Sequence, residues 1–307
     1  MNRRDFVRSS FGAVVAGQAP PPAKSRVVIA RDPAPGAAAR LAALLDRGVQ
    51  AFYNRDTALE AWKQVARPGE VIGLKVNCLA GRGSASTSPA LVDAICERLR
   101  QVGVAAKDIV VFDRLTEDLE SAGFRIADRP GRTRVAGNDT FGYEEDLAIY
   151  GSAGSLLSKA LTRVCDGVIN LPVLKDHSIA GVTIALKNLF GAIHNPNKYH
   201  IDAGDPYVAD VYMLPPIRRK VRLAICDAIV AQYQGGPSYM PQWSWPFNGL
   251  LVARDPVALD ATGWQIIERK RAEMGLKPLD PRPGYISTAA TRGIGTNDTR
   301  RIERVEV

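Results

Sequence analysis

Two short apolar runs, Val71–Cys78 (VIGLKVNC) and Asp108–Asp113 (DIVVFD), bracket a single helix-patterned segment. That segment opens on Ser88-Pro89, a capping residue and a proline suited to a first helical turn. It then carries Leu91, Ala94, Ile95 and Leu99 at helical spacing to about Val102. Strand, helix and strand with short connections form the βαβ pattern of a parallel sheet. The alternation recurs along the chain. Arg26–Ala30 (RVVIA) precedes an Ala-rich helix over 36–53 and a second helix over 56–66. Gly167–Leu174 and Val221–Ile229 read as buried strands, Leu250–Ala253 as a short strand, and Arg301–Val307 as an edge strand. Asp255-Pro256 opens a helix running to about Met274, and Ser155–Arg163 also reads as helical. The expected fold is α/β, a mostly parallel, Rossmann-like sheet with helices on both faces. The polar, Gly-containing segment 114–150 and the Gly/Pro/Trp-rich segment 234–248 are expected as rim insertions, and 206–220, with three prolines, as a loop.

The first 25 residues do not belong to that pattern. Asn2–Arg8 (NRRDFVR) is close to the twin-arginine export motif, and the weakly apolar run Phe11–Ala19 is too short to cross a bilayer. Residues 1–25 therefore read as a leader, with the twin-arginine machinery as partner and the periplasm, or another compartment outside the cytoplasm, as destination. Residues 26–307 read as one α/β domain or two coupled lobes. The net charge of +8 is spread along the chain and concentrated at its two ends, with no basic stripe interleaved with aromatics, so nucleic acid is not expected as a partner. No segment has the length and apolarity of a transmembrane helix. Cys78, Cys96, Cys165 and Cys226 have apolar neighbours and form no C-x-x-C pair. They suit small core residues, and neither a zinc ribbon nor an iron–sulfur cluster is expected.

All three histidines, His177, His194 and His200, fall within one window, 167–205. Around it, polar residues collect where strands end: Lys75 and Asn77, Asp113 and Arg114, Lys175 with Asp176 and His177, and Asp227. In a doubly wound sheet, ligands bind beyond the carboxyl ends of the strands. The expected site therefore joins Lys75, Lys175 and His177 as catalytic candidates. Asn77, Lys187 and Asn188 would be ligand-binding residues, with Asp227 near the floor. The lysines would hold a small anionic ligand. His177, titrating near neutral pH in its unperturbed form, would serve as acid–base group. His177, His194, His200 and Asp176 are also of the right types to ligate a transition metal, although their spacing matches no standard metal signature. No G-x-G-x-x-G, P-loop or G-x-S-x-G motif is present. Two functional classes follow: an enzyme using a metal or bound cofactor on a small anionic substrate, or a non-catalytic binding protein for such an anion.

Over about residues 67–300 the chain resembles the domain-of-unknown-function 362 family. The likeness is carried by RPGEVIGLKVN, LPVLKDHSIAGVTIALKNLFGAI, CDAIV with a following GGP, and NGLLVARDPVALDATG. Some relatives carry a ferredoxin-like module whose cysteines this chain lacks. A narrower likeness, from RPGEVIGLKVN through VVFD, is to nickel-pincer lactate racemases, and implies a histidine-bound nickel cofactor.

Overall fold

The computed structural model describes residues 24–307, except 82, 84 and 130. The leader motif lies outside the described residues. The first strand, β1 (Ser25–Arg31), is followed by α1 (Ala38–Tyr53) and the short α2 (Ala58–Trp62). Then come β2 (Ile72–Lys75), α3 (Pro89–Gln101) and β3 (Ile109–Asp113), in parallel register with Lys75 opposite Phe112. Next are α4 (Thr116–Ser121), β4 (Arg134–Gly137), α5 (Asn138–Phe141) and a small ribbon of β5 (Ala148–Tyr150) and β6 (Ala153–Ser155). The central stretch supplies β7 (Gly167–Asn170), β8 (Val173–His177), β9 (Gly181–Thr183) and α6 (Ala185–Asn188). Beyond it lie α7 (Tyr207–Met213), α8 (Pro215–Lys220), β10 (Val221–Gln232), β11 (Ser244–Ala253), α9 (Pro256–Glu273), α10 (Tyr285–Thr291) and β12 (Ile302–Glu306).

The main sheet has the order β12-β1-β11-β10-β7-β2-β3-β4, with β8 branching from β10 and carrying β9. It is mostly parallel. The exceptions are β11, antiparallel to both of its neighbours, and the β8–β9 hairpin. Side-chain alternation splits each strand between two cores. Val28, Ala30, Ile72, Leu74, Ile109, Val111, Leu223 and Ile225 pack with α1–α3. Val27, Ile29, Val110, Phe112, Ala224 and Cys226 face the layer of α6–α10. Both faces are covered, as a mostly parallel sheet requires. The four cysteines are buried and free, with their thiols pushed up by burial.

Four local expectations need correction. Segment 206–220 is helical, because Pro206 precedes α7 and Pro215-Pro216 occupy the first turn of α8, where a missing N–H costs nothing. Segment 114–150 supplies a true edge strand, β4, parallel to β3 and too short to show an apolar run. The apolar run from Gly167 is two strands. Pro172 has no N–H for the ladder, and β10 pairs with β7 before the break and β8 after it. Ser155–Arg163 is the end of β6 and the start of one π-turn over Ala160–Val164.

Candidate functional site

Lys75 ends β2, and by alternation from Leu74 it faces the α6–α10 layer. Its ammonium is 1% exposed and donates to Asp113 Oδ1 at 2.7 Å and to the Val76 carbonyl at 2.6 Å. The other Asp113 oxygen accepts the Cys78 backbone N–H at 2.7 Å. The pair thus fixes the end of β2 and the loop after it. Gly191 lies directly over it: a Cβ there would sit 2.6 Å from Lys75 Nζ, so the close approach requires glycine. Beside the pair runs a chain of amides. Asn77 Nδ2 donates to Asn188 Oδ1 at 2.9 Å, Asn188 Nδ2 to Asn170 Oδ1 at 2.7 Å, and Asn170 Nδ2 to the Ala185 carbonyl at 2.8 Å. This order of donors leaves Asn77 Oδ1 without a partner. Thr183 Oγ1 is likewise buried and unpartnered, and both residues line the cleft. A buried polar atom left unpaired costs about 1–3 kcal/mol, and among the described residues neither of these two has a protein partner.

Helix α6 is a single turn. Its N-terminus is held from another element: the Asp260 carboxylate on α9 accepts the Ala185 and Leu186 N–H groups at 2.7 and 3.2 Å. Burial pushes the Asp260 carboxyl well up. This anchor brings Lys187 and Asn188, adjacent in sequence, onto the same cleft. Lys187 Nζ is 3.0 Å from His200 Nε2 and 5.1 Å from the centre of the Phe190 ring. Burial, then the nearby Lys175 charge, lowers its pKa to about 7.

Lys175 and His177 alternate with Asp176 along β8 and so share the cleft face, while Asp176 points away. Asp176 accepts the Gly236 N–H and Gln232 Nε2 instead. The Lys175 ammonium donates to the carbonyls of Ala85 (2.7 Å) and Pro237 (3.1 Å), and burial lowers its pKa to about 8. His177 Nδ1 accepts the backbone N–H groups of Ile179 and Ala180, both at 3.2 Å, which assigns its proton to Nε2. Burial, then Lys187, His200 and Lys175, pushes His177 down to about 2. It is therefore a neutral N–H donor across the physiological range, and the expected titration near pH 7 does not survive in this setting. His200 stacks on it with ring centres 5.4 Å apart and takes the opposite tautomer. Its Nδ1 donates to the Asn197 carbonyl at 3.3 Å, leaving Nε2 to accept from Lys187.

The cleft formed by these groups has a volume of about 70 Å³, roughly five to seven water-sized positions at ~10–15 Å³ each. The enclosed part of the cleft is therefore small. Its charged lining is Lys75, Lys175, Lys187 and Arg114 against Asp113 and Asp118. Asp113 is taken by Lys75 and Asp118 by Arg114. Among the described residues, no carboxylate hydrogen-bonds to Lys175 or Lys187.

Of the residues expected at the site, Lys75, Asn77, Lys175, His177, Lys187, Asn188 and His200 line this cleft. Asp227 does not. It follows Leu223 and Ile225 in phase, so it faces the α1–α3 layer, where its carboxylate accepts the Ser88 N–H at the start of α3. His194 is exposed and sits edge-on to Tyr143 at 5.0 Å. The proposed ligand set of His177, His194, His200 and Asp176 is thus dispersed, and no group of three or more His, Cys, Asp or Glu positioned for a metal occurs among the described residues. The donors present do not fit a histidine-bound nickel cofactor either. His177 presents a protonated Nε2, His200 Nε2 is engaged by Lys187, and the surrounding lysines repel a cation. Asp113, Asn170, Thr183 and Asp260 complete the site. Asp113 had a sequence signal at a strand end, while Asp260 was passed over, its one signal being a carboxylate within an apolar helix start.

The chain is thus an α/β protein built on a mostly parallel sheet, with a cation-rich cleft beyond the ends of its strands. The chain belongs to the family described as a domain of unknown function (DUF362), which matches residues 72–265. It is 26% identical over 243 residues to a thylakoid-associated protein of Synechocystis sp., spanning 73% of this chain and 71% of that one. A crystal structure of a Thermotoga maritima protein matches with a TM-score of 0.39 and 10% identity over 59% of this chain, which spans 50% of that protein. No helix among the described residues is long and apolar enough to cross a membrane.

Proposed function

We propose that the cleft binds a small organic anion and that the protein is an enzyme acting on it. The observation that carries this reading is the pair of buried lysines, Lys175 and Lys187, facing one small cleft with no carboxylate among the described residues bonded to either. Uncompensated buried charge is expensive, and an anionic ligand is the natural counter-charge. Lys175, with two of its three N–H groups spent on carbonyls, keeps one for the anion. His177 offers a neutral N–H, and Lys187 is the group whose protonation changes near neutral pH.

Calorimetric titration with acetate, propanoate, pyruvate and inorganic phosphate, in two buffers of different ionisation enthalpy, tests this. An anion favours the protonated lysines, whose free-state pKa values lie near 7 and 8. Binding at about pH 8 is therefore expected to take up protons, and affinity to fall as pH rises from 7 to 9. Failure of all four anions to bind, or affinity flat over that range, overturns the reading. A second reading, a non-catalytic binder, is favoured by the clamped Lys175, and turnover of a bound anion decides between the two.

The twin-arginine leader is proposed to export the chain in folded form. Arg3 and Arg4 changed together to lysine are expected to move the protein from the extracytoplasmic to the cytoplasmic fraction, and an unchanged distribution sinks this assignment.

A further inference from the structure

We infer that Lys187 is a nucleophile whose amine adds to the carbonyl carbon of a small oxo-acid held by Lys175, forming an imine. This rests on the reading of the cleft as a small-anion site and names the substrate class.

The three cleft lysines are not equivalent. Lys75 donates to Asp113 and to the Val76 carbonyl, with Asn188 Oδ1 3.5 Å away, so its ammonium is fully engaged in holding the sheet end. Lys175 donates to two carbonyls, an arrangement that serves a charged ammonium with one N–H directed elsewhere. Of the three, only Lys187 has, among the described residues, a single hydrogen-bond partner, and that partner is a group able to orient a neutral amine. His200 Nε2 accepts one N–H at 3.0 Å, and the His200 tautomer is fixed from behind by the Asn197 carbonyl. The remaining lone pair is free for the cleft. The Phe190 ring excludes water from one side, and Lys187 itself is 7% exposed. The charged and titratable groups around it are Lys175 and His177 from β8, His200 from the following loop, and the Lys75–Asp113 and Arg114–Asp118 pairs at the far side of the cleft. Desolvation beside a second cation is a recognised way to keep a lysine amine neutral and nucleophilic, and burial and Lys175 bring Lys187 to about 7 in that manner.

The remaining groups fit the addition. The Nε2–H of His177, fixed by its two backbone contacts, can donate to a carbonyl oxygen. Thr183 Oγ1 and Asn77 Oδ1, both buried and unpartnered, can complete their hydrogen bonds with a hydroxyl formed there. The step balances without any co-reactant. The amine nitrogen bonds to the carbonyl carbon, and the oxygen leaves as water carrying both amine hydrogens, with His200 Nε2 placed to relay one of them. The C=N product, once protonated, is an electron sink for breaking a neighbouring C–H or C–C bond.

The full-length protein is incubated with pyruvate or acetoacetate at about pH 7.5 and reduced with sodium borohydride, then analysed by intact mass and peptide mapping. One reduced adduct per chain, on Lys187, is expected. It should be absent in Lys187→Met and reduced at least about tenfold in Lys175→Met through the lost charge-assisted contact. Thermal unfolding of both variants verifies that they fold. If both oxo-acids bind calorimetrically but leave no adduct, or adducts form only on other lysines, the imine inference fails and the anion site stands. If neither these nor the simple carboxylates and phosphate bind, the underlying reading fails with it.

Discussion

Lys187→Met is expected to raise the thermal unfolding midpoint at pH 6, by on the order of 10 °C, and to raise it progressively less toward pH 10. The pKa of Lys187 is lowered from an ordinary lysine value to about 7 in the folded chain. Below pH 7 both folded and unfolded states are protonated, and the folded state bears the full cost of a buried ammonium. Between about 7 and 10.4 the unfolded chain binds the proton more tightly, so wild-type stability rises with pH, and above that range the cost is gone. Each pKa unit is worth about 1.4 kcal/mol and replacement of buried ionic groups by apolar ones often yields 1–4, so a gain of about 2–5 kcal/mol is expected at low pH. For a domain near this size each kcal/mol moves the midpoint by roughly 2–4 °C. A variant no more stable than wild type, or one whose gain ignores pH, would show that Lys187 is not strained by burial. A stabilised, inactive variant is the usual signature of a residue kept for function.

Asp113→Ala should do the reverse. It leaves the Lys75 ammonium, 1% exposed, without its carboxylate, and strips the Cys78 N–H of its acceptor. Breaking a buried pair from one side costs about 3–5 kcal/mol, whereas replacing both partners by apolar groups is often neutral. Urea unfolding is expected to show that loss for Asp113→Ala and recovery of most of it in the double variant Lys75→Met/Asp113→Leu. A loss under about 1 kcal/mol for the single variant, or no recovery in the double, would contradict the assigned pair. The sequence made Lys75 a catalytic candidate. The structure shows its ammonium engaged by Asp113 and the Val76 carbonyl at the end of β2.

What the sequence revealed, and what it hid, follows from range. Strand and helix identity were legible wherever apolar patterning ran uninterrupted, as in β1, α1, β3 and α3, while α9 was legible from its Asp255-Pro256 start. Prolines misled in both directions. At 206, 215 and 216 they begin helices and were read as loop, while Pro172 splits a run that was read as one strand. The cleft residues at the ends of β2 and β8 were legible because carboxyl ends of parallel strands lie at one level. Asp227 was misplaced by a single step of alternation, since register relative to the two cores is fixed by tertiary packing. The histidine cluster in sequence translated into space only in part, with His177 and His200 stacked and His194 apart. The loop after Ile193 folds His200 back over the cleft and leaves His194 outside, a matter of backbone path that no local pattern encodes.

The position of β1 in the sheet has a consequence for how the chain is made. β1 lies between β11 and β12: Val27 pairs with Ala253, and Arg26 with Glu303. The first strand among the described residues therefore finds its ladder partners more than two hundred residues later. Loop closure over such separations is slow, and contacts of this kind form last. The βαβ unit of β2, α3 and β3 can assemble during synthesis, but β1 gains its β11 partner only after residue 253 has emerged and its β12 partner only after residue 306. Until both partners are in place, β1 presents unpaired backbone N–H and C=O groups along at least one side, a template on which another chain could pair.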